Sequence, residues 1–182
     1  MKKHFSEFWY MYVLGVVLAL MIIGYCRLHD LVQETADGIV SAYHLTDMAS
    51  EDIIEISYRG NKKQEISFAK KEDGTWVYVP DENLAIEQAG PQYLAELLKK
   101  VTGEYQIDNV EDIGMYGLSE ESPYVEVVTK TDTCRIYIGN YNDIVKRYYA
   151  YIDGSTTVYG IKQDVAEILD YTLESYLIKG DF

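Results

Sequence analysis

Three histidines and two cysteines are all that the 182-residue chain offers for nucleophilic or soft-metal chemistry. His4 precedes a long apolar run, and His29 and His44 follow it closely, ahead of the first expected strand. None is placed to activate a serine or cysteine within a fold, so Ser-His-Asp and Cys-His mechanisms are not expected. The sequence contains no G-x-S-x-G elbow, H-E-x-x-H, P-loop or G-x-G-x-x-G. Cys26 borders the apolar run and Cys134 lies in an expected strand, with no C-x-x-C and no Cys/His ligand spacing. No internal disulfide, metal site or cofactor is expected.

Carboxylates are abundant. Glu120 with Glu121, Asp108 with Glu111 and Asp112, and Asp143 with Asp153 are the pairs that acid/base hydrolysis could draw on. Such work needs two carboxyls at a defined separation in a cleft. In a chain with 30 acidic residues, solvated surface acids are the simpler reading. Asn140, Asn142 and Asp143 supply oxygen ligands without the spacing of an EF-hand loop.

The 18 tyrosines are the more distinctive feature. Tyr137, Tyr141, Tyr148, Tyr149, Tyr151 and Tyr159 concentrate in the second half of the chain. Tyr149 and Tyr151 share one strand face and Tyr148 takes the other. Exposed tyrosines make good anchors for proteins or sugars, because each offers a rigid ring and a hydroxyl. Tyr116, Leu118, Tyr137, Tyr149, Tyr151 and Tyr159 are the candidate partner-binding residues. Strand propensity and core packing are the competing explanation for them. The loop from Tyr116-Gly117-Leu118 to Pro123 reads as a structural joint that packs Leu118, and Trp76 reads as core.

The elements that must position these residues follow from periodicity. Ile54, Ile56 and Tyr58 alternate with polar residues, as do Ile66 and Phe68, and Asp73-Gly74 marks a hairpin into Thr75–Val79. A helix is expected from Pro91, with Leu94, Leu97, Leu98 and Val101 on one face and Gly103 as its stop. Glu104–Pro123 reads as mostly loop, with one helical turn over Asp112–Tyr116. Strands follow at Tyr124–Lys130, Thr133–Ile138, Arg147–Ile152 and Thr156–Ile161. A last helix is expected over 164–179, with Asp164 as N-cap and Glu167 completing a capping box. The class is α+β: antiparallel sheets with amphipathic helices on one face. A weak internal repeat pairs each Asp-Gly hairpin with the helix that follows it.

Ahead of this domain, Phe8 to Cys26 runs nineteen residues without a charge. As a helix it spans roughly 28 Å, close to the ~30 Å hydrocarbon core of a bilayer. Phe8, Trp9, Tyr10 and Tyr12 at one end and Tyr25 at the other suit the two interfaces. No A-x-A cleavage pattern follows, and Tyr25 occupies the place where a lipoprotein needs a small residue. The expected organisation is a cytoplasmic N-terminus over 1–7, a transmembrane helix over 8–26, a stalk over 27–44 and an extracytoplasmic domain over 45–182. Lys2 and Lys3 outnumber Arg27 across the span, which sets that orientation.

The formal net charge is −14. Residues 1–26 hold Lys2, Lys3 and Glu7, a net +1, so the remainder carries −15. A surface this acidic repels nucleic acid and anionic headgroups, whose binding depends on Lys and Arg.

Five stretches in order carry a family resemblance. They are Asp52-Ile53-Ile54-Glu55-Ile56, Asp73-Gly74-Thr75-Trp76, Tyr116-Gly117-Leu118 with Pro123, Ile136-Tyr137-Ile138-Gly139, and Tyr148-Tyr149-Ala150-Tyr151 through Val158-Tyr159. Over roughly residues 45–178 they resemble the family called domain of unknown function 4340. The resemblance implies an N-terminal anchor and association with envelope ABC-type transport systems like those of gliding motility. It brings no catalytic residue. Many members look longer, with more than one copy of the module, whereas this chain carries one. The expectation is a non-enzymatic, membrane-anchored interaction module. It would serve as an auxiliary subunit of an envelope transport or assembly complex. Its partners would be the bilayer, through residues 8–26, and a membrane-protein complex. A cell-wall polymer or carbohydrate binder and a carboxylate-dependent hydrolase are the alternatives.

Overall fold

The computed structural model describes residues 43–61 and 64–178, with Leu14, Leu18, Met21 and Ile22 from the N-terminal segment. The chain divides into two units, residues 1–41 and 42–182. In the first, the four described residues are helical and their apolar side chains are exposed. Among the described residues no helix is long and apolar enough to cross a membrane. The span expected over 8–26 lies mostly outside them.

Among the described residues of the second unit, alternating apolar residues build nine strands into one antiparallel sheet. In chain order these are β1 (Tyr43–His44), β2 (Ile53–Arg59), β3 (Glu65–Lys70), β4 (Trp76–Tyr78), β5 (Thr102–Ile107), β6 (Tyr124–Thr129), β7 (Thr133–Asn142), β8 (Arg147–Ile152) and β9 (Val158–Ile161). Their spatial order is β1-β5-β9-β8-β7-β6-β2-β3-β4. The separate sheets expected from the sequence are thus one sheet. Its halves join where β6 pairs with β2 from Tyr124↔Arg59 to Thr129↔Ile53. Two helices, α1 (Ala89–Leu98) and α2 (Gln163–Glu167), pack on one face, as amphipathic helices must.

That face carries the main core. Ile56 and Tyr58 of β2, Phe68 of β3, Val125 and Val127 of β6, and Ile136 and Ile138 of β7 meet Leu94 and Leu98 of α1. At the outer edge, Gln88 behaves like an extra strand residue. Its Oε1 accepts the Trp76 N–H at 2.8 Å and its Nε2 donates to the Trp76 carbonyl at 3.0 Å, fastening the start of α1 to β4. Trp76 is buried, as its position after the turn suggested.

Three sequence expectations need correction. The first helix begins at Ala89 and ends at Leu98, short of Val101 and of the stop expected at Gly103. Buried Thr46 donates its hydroxyl to the Leu98 carbonyl at 2.6 Å and accepts the Val101 N–H at 2.7 Å. The Val101 carbonyl in turn accepts the Leu45 N–H at 2.8 Å. These bonds draw the chain out of the helix. The stretch read as loop from Glu104 opens with β5, which pairs with β9 from Gly103↔Ile161 to Ile107↔Val158.

The helix expected over 164–179 breaks up. α2 ends at Glu167, followed by 3-10 turns at Ile168–Asp170 and Leu173–Tyr176; residue 179 lies outside the described set. Tertiary contacts outbid the helical pattern. Tyr176 must turn inward, so that its ring lies 4.8 Å from Phe68 and its hydroxyl accepts that of Tyr58 at 3.0 Å. The expected capping box at Asp164 does not form: the N-cap is Lys162, and Asp164 Oδ1 accepts the N–H of Val165 at 2.9 Å. A capping box does form two elements later, between Thr172 and Ser175.

Candidate docking site

The face opposite the helices holds the tyrosine cluster. Period-two alternation places Tyr124, Tyr137, Tyr149, Tyr151 and Val158 there, away from the main core. The segment between β5 and β6 lies across them. It contributes Leu118 and, less buried, Val110, Ile113 and Tyr116. Five of the six candidate residues therefore come together: Tyr116, Leu118, Tyr137, Tyr149 and Tyr151. Tyr159 does not join them. It packs against the main core on the helix face.

Within the five, roles divide by burial. Leu118 and Tyr137 are buried and hold the segment to the sheet. Tyr116, Tyr149 and Tyr151 are half-buried. The Tyr116 ring meets the Tyr149 ring edge-on at 4.8 Å. Tyr124 is held between the guanidinium groups of Arg59, at 4.9 Å, and Arg135, at 4.5 Å. Hydrogen bonding to Tyr137 and to Glu126 pushes the Arg135 pKa further up, so its charge is fixed.

The covering segment is rigid for local reasons. Asp112 Oδ1 accepts the Gly114 N–H at 2.8 Å and starts the 3-10 turn Ile113–Tyr116. Gly117 closes that turn at φ 71, a left-handed conformation suited to glycine, with its N–H on the Gly114 carbonyl at 3.0 Å. Buried Ser122 donates to the Gly117 carbonyl at 3.2 Å and accepts the Ser119 N–H at 2.8 Å. Gly139 lets the segment approach β7: a Cβ there would overlap the Tyr116 carbonyl oxygen.

The same network reaches the tip of the β7–β8 hairpin. Asn142 Nδ2 donates to the Tyr149 hydroxyl at 2.6 Å. Asn142 Oδ1 accepts the N–H groups of Ile144 at 3.0 Å and Val145 at 3.4 Å. Lys146, at φ 57, completes the turn. The turn so held presents Ile144 at 91% exposure and Val145 at 45%. At the other end of the network, next to Tyr116, Met115 is 78% exposed. Sequence reasoning missed Met115, Ile144 and Val145. The only signal was an Ile-Val pair set between turn-forming Asn142-Asp143 and Lys146.

None of the carboxylate pairs named from the sequence lines a pocket among the described residues, and Glu111, Glu120 and Glu121 are exposed. Asp143 and Asp153 sit at opposite ends of six-residue β8, roughly 20 Å apart at strand rise. Asp108 accepts from Gln106 and Thr157, and Asp112 starts its turn. Asn142 serves the hairpin, and Asn140 lies against Gly117. Among the described residues no group of three His, Cys, Asp or Glu is placed to hold a metal ion. A cleft of about 490 Å³ opens elsewhere, between the 45–52 loop and the β6–β7 turn. Asp47, Asp52, Asp132 and Cys134 line it, and burial, then Asp132 and Glu126, push the Cys134 thiol pKa up, which disfavours the reactive thiolate.

A family model described as Domain of unknown function (DUF4340) matches residues 76–179, more than half of the chain. The match begins in β4, so it is narrower than the resemblance read from residue 45. No curated protein and no solved structure matches the chain.

Proposed function

Because the chain belongs to the family described as Domain of unknown function (DUF4340), we propose that residues 42–182 form a non-enzymatic docking module at the outer face of a membrane. The unit serves as an auxiliary subunit of an envelope transport or assembly complex. The apolar run from Phe8 to Cys26 anchors it, with the N-terminus in the cytoplasm. The helical, exposed Leu14, Leu18, Met21 and Ile22 are in keeping with that anchor.

One observation carries the docking reading. Large apolar side chains stand exposed at Met115 and Ile144, on two turns that Tyr116, Tyr149 and Asn142 tie together. An exposed apolar side chain on a preorganised turn loses little entropy on binding, which is what an interface anchor needs. Wall-polymer binding through Tyr149 and Tyr151 has weaker support, since Tyr116 stands over Tyr149.

The test uses the full chain, extracted from native membranes in mild detergent. A membrane partner is expected to co-purify with the wild type. It should fall at least about tenfold with Met115→Asp and Ile144→Asp, while the melting temperature holds. Recovery of the wild-type chain alone, or equal co-purification of both variants, would overturn the proposal.

A further inference from the structure

Two Asp-Gly pairs lie among the described residues, and the fold treats them differently. Asp73-Gly74 turns β3 into β4, and Asp153-Gly154 turns β8 toward β9. Both pairs are exposed, and both glycines take a left-handed backbone, at φ 85 and φ 75. Nothing stands within 4 Å of where a Cβ would lie on either glycine. A glycine after aspartate carries no side chain to screen its amide nitrogen from the neighbouring carboxyl. We propose that Asp153, and not Asp73, is a site of spontaneous isomerisation, at which the chain's own backbone converts aspartate to isoaspartate with water as the only reagent.

The step balances with water alone. The Gly154 nitrogen attacks Cγ of the protonated Asp153 carboxyl. A C–N bond forms, and the amide proton leaves with the carboxyl hydroxyl as water, giving a cyclic imide. Water then opens the imide. Cleavage at Cγ restores aspartate. Cleavage at the α-carbonyl leaves Gly154 bonded to Cγ, so the main chain gains one methylene and the α-carboxylate becomes the side group. Mass and formal charge are unchanged. That α-carboxylate is the group an isoaspartyl carboxyl methyltransferase esterifies, with S-adenosylmethionine as methyl donor.

Hydrogen bonds decide between the two turns. At Asp73 both reacting groups are engaged. Its Oδ1 accepts the Thr75 N–H at 2.9 Å, and the Gly74 N–H donates to the Lys71 carbonyl at 2.9 Å. The bond from Thr75 also holds the Asp73 carboxyl below the ordinary carboxylate value, which depletes the protonated form that can lose water. The Lys71 N–H donates to the Thr75 carbonyl at 2.8 Å and closes the turn around both groups. At Asp153 the bonds lie outside the reacting groups. The Asp153 N–H donates to the Arg135 carbonyl at 3.0 Å, and the Ser155 N–H donates to the Ile152 carbonyl at 3.0 Å. Among the described residues the Asp153 carboxylate and the Gly154 N–H have no partner. The carboxyl can swing onto the amide nitrogen with no bond to break first.

The full chain is aged at neutral pH, folded in mild detergent, and read as tryptic peptides. Residues 148–162 and 72–99 fall on separate peptides, one for each pair. The isoaspartyl form separates from the aspartyl form at equal mass, and added isoaspartyl methyltransferase with labelled S-adenosylmethionine marks it. Isoaspartate is expected to accumulate in 148–162 at least about tenfold faster than in 72–99, since two hydrogen bonds must open at Asp73. In denaturant the two rates should converge, because the fold and not the neighbouring sequence sets the difference. Asp153→Asn should give the same product faster, with loss of ammonia in place of water. Asp153→Glu, which needs a larger ring, should leave 148–162 unchanged. No product in 148–162, equal rates in the folded chain, or a difference that persists in denaturant would overturn the proposal.

Discussion

The Asn142 side chain holds the β7–β8 turn, accepting from the backbone of Ile144 and Val145, and donates to Tyr149, whose ring meets Tyr116 of the other exposed turn. Asn142→Ala should lower stability by about 1–2 kcal/mol in denaturant unfolding and weaken partner capture more than that loss accounts for. Asn142→Asp keeps the acceptor and should restore the turn only in part. Tyr58 and Tyr176 report on the opposite face. Burial is the main cause that raises both phenol pKa values, from the ordinary 10.0 to about 12 for Tyr176 and further for Tyr58. Both hold their protons more tightly folded than unfolded. Their contribution is therefore complete below the ordinary phenol value and is lost as pH rises from there toward the folded-state values. Alkaline titration at 295 nm should show these two phenols ionising with unfolding, and Tyr58→Phe should shift the alkaline transition. The shared face of Tyr149 and Tyr151 could be read from alternation alone. The exposure of Ile144 could not, because a β-branched pair after a strand looks like more strand until the turn is seen.

Hairpins and period-two strands were legible, because each turn residue and each alternation acts locally. Two of the failures sit where a distant residue decides. Thr46 ends α1 at Leu98, and Tyr58 with Phe68 draws Tyr176 out of the last helix. β5 escaped notice because Gly103, read as a helix stop, is already strand, and because only two-residue β1 covers its outer edge. The covering segment can be detached by one substitution. Gly139→Ala places a methyl group against the Tyr116 carbonyl and the Leu118 side chain, and the 3-10 turn must lift away. Hydrogen exchange should speed up more at residues 113–118 than in β2 and β3, with a stability cost of about 1–3 kcal/mol. Equal exchange in variant and wild type would show that the segment does not depend on this close approach.

One sheet with helices on a single face leaves the other face to a short covering segment, and that asymmetry divides the molecule by task. The helix side holds the main core. The opposite side holds the tyrosine cluster that supports Met115 and Ile144. The α+β class was legible from the order of elements. The merging of two half-sheets was not, because the β2–β6 pairing joins segments more than sixty residues apart. At this scale the proposed anchor predicts topology: protease added to whole cells should digest residues 42–182, and carbonate washing should leave the chain in the membrane. The most direct test of docking places a photo-crosslinking residue at Ile144 in the full chain, in intact membranes, with one at exposed Glu167 on the helix side as control. The expected result is a single adduct of defined mass from position 144, absent from position 167 and lost in the Gly139→Ala background. An adduct from position 167 with none from 144, or one from 144 that persists unchanged in that background, would contradict it.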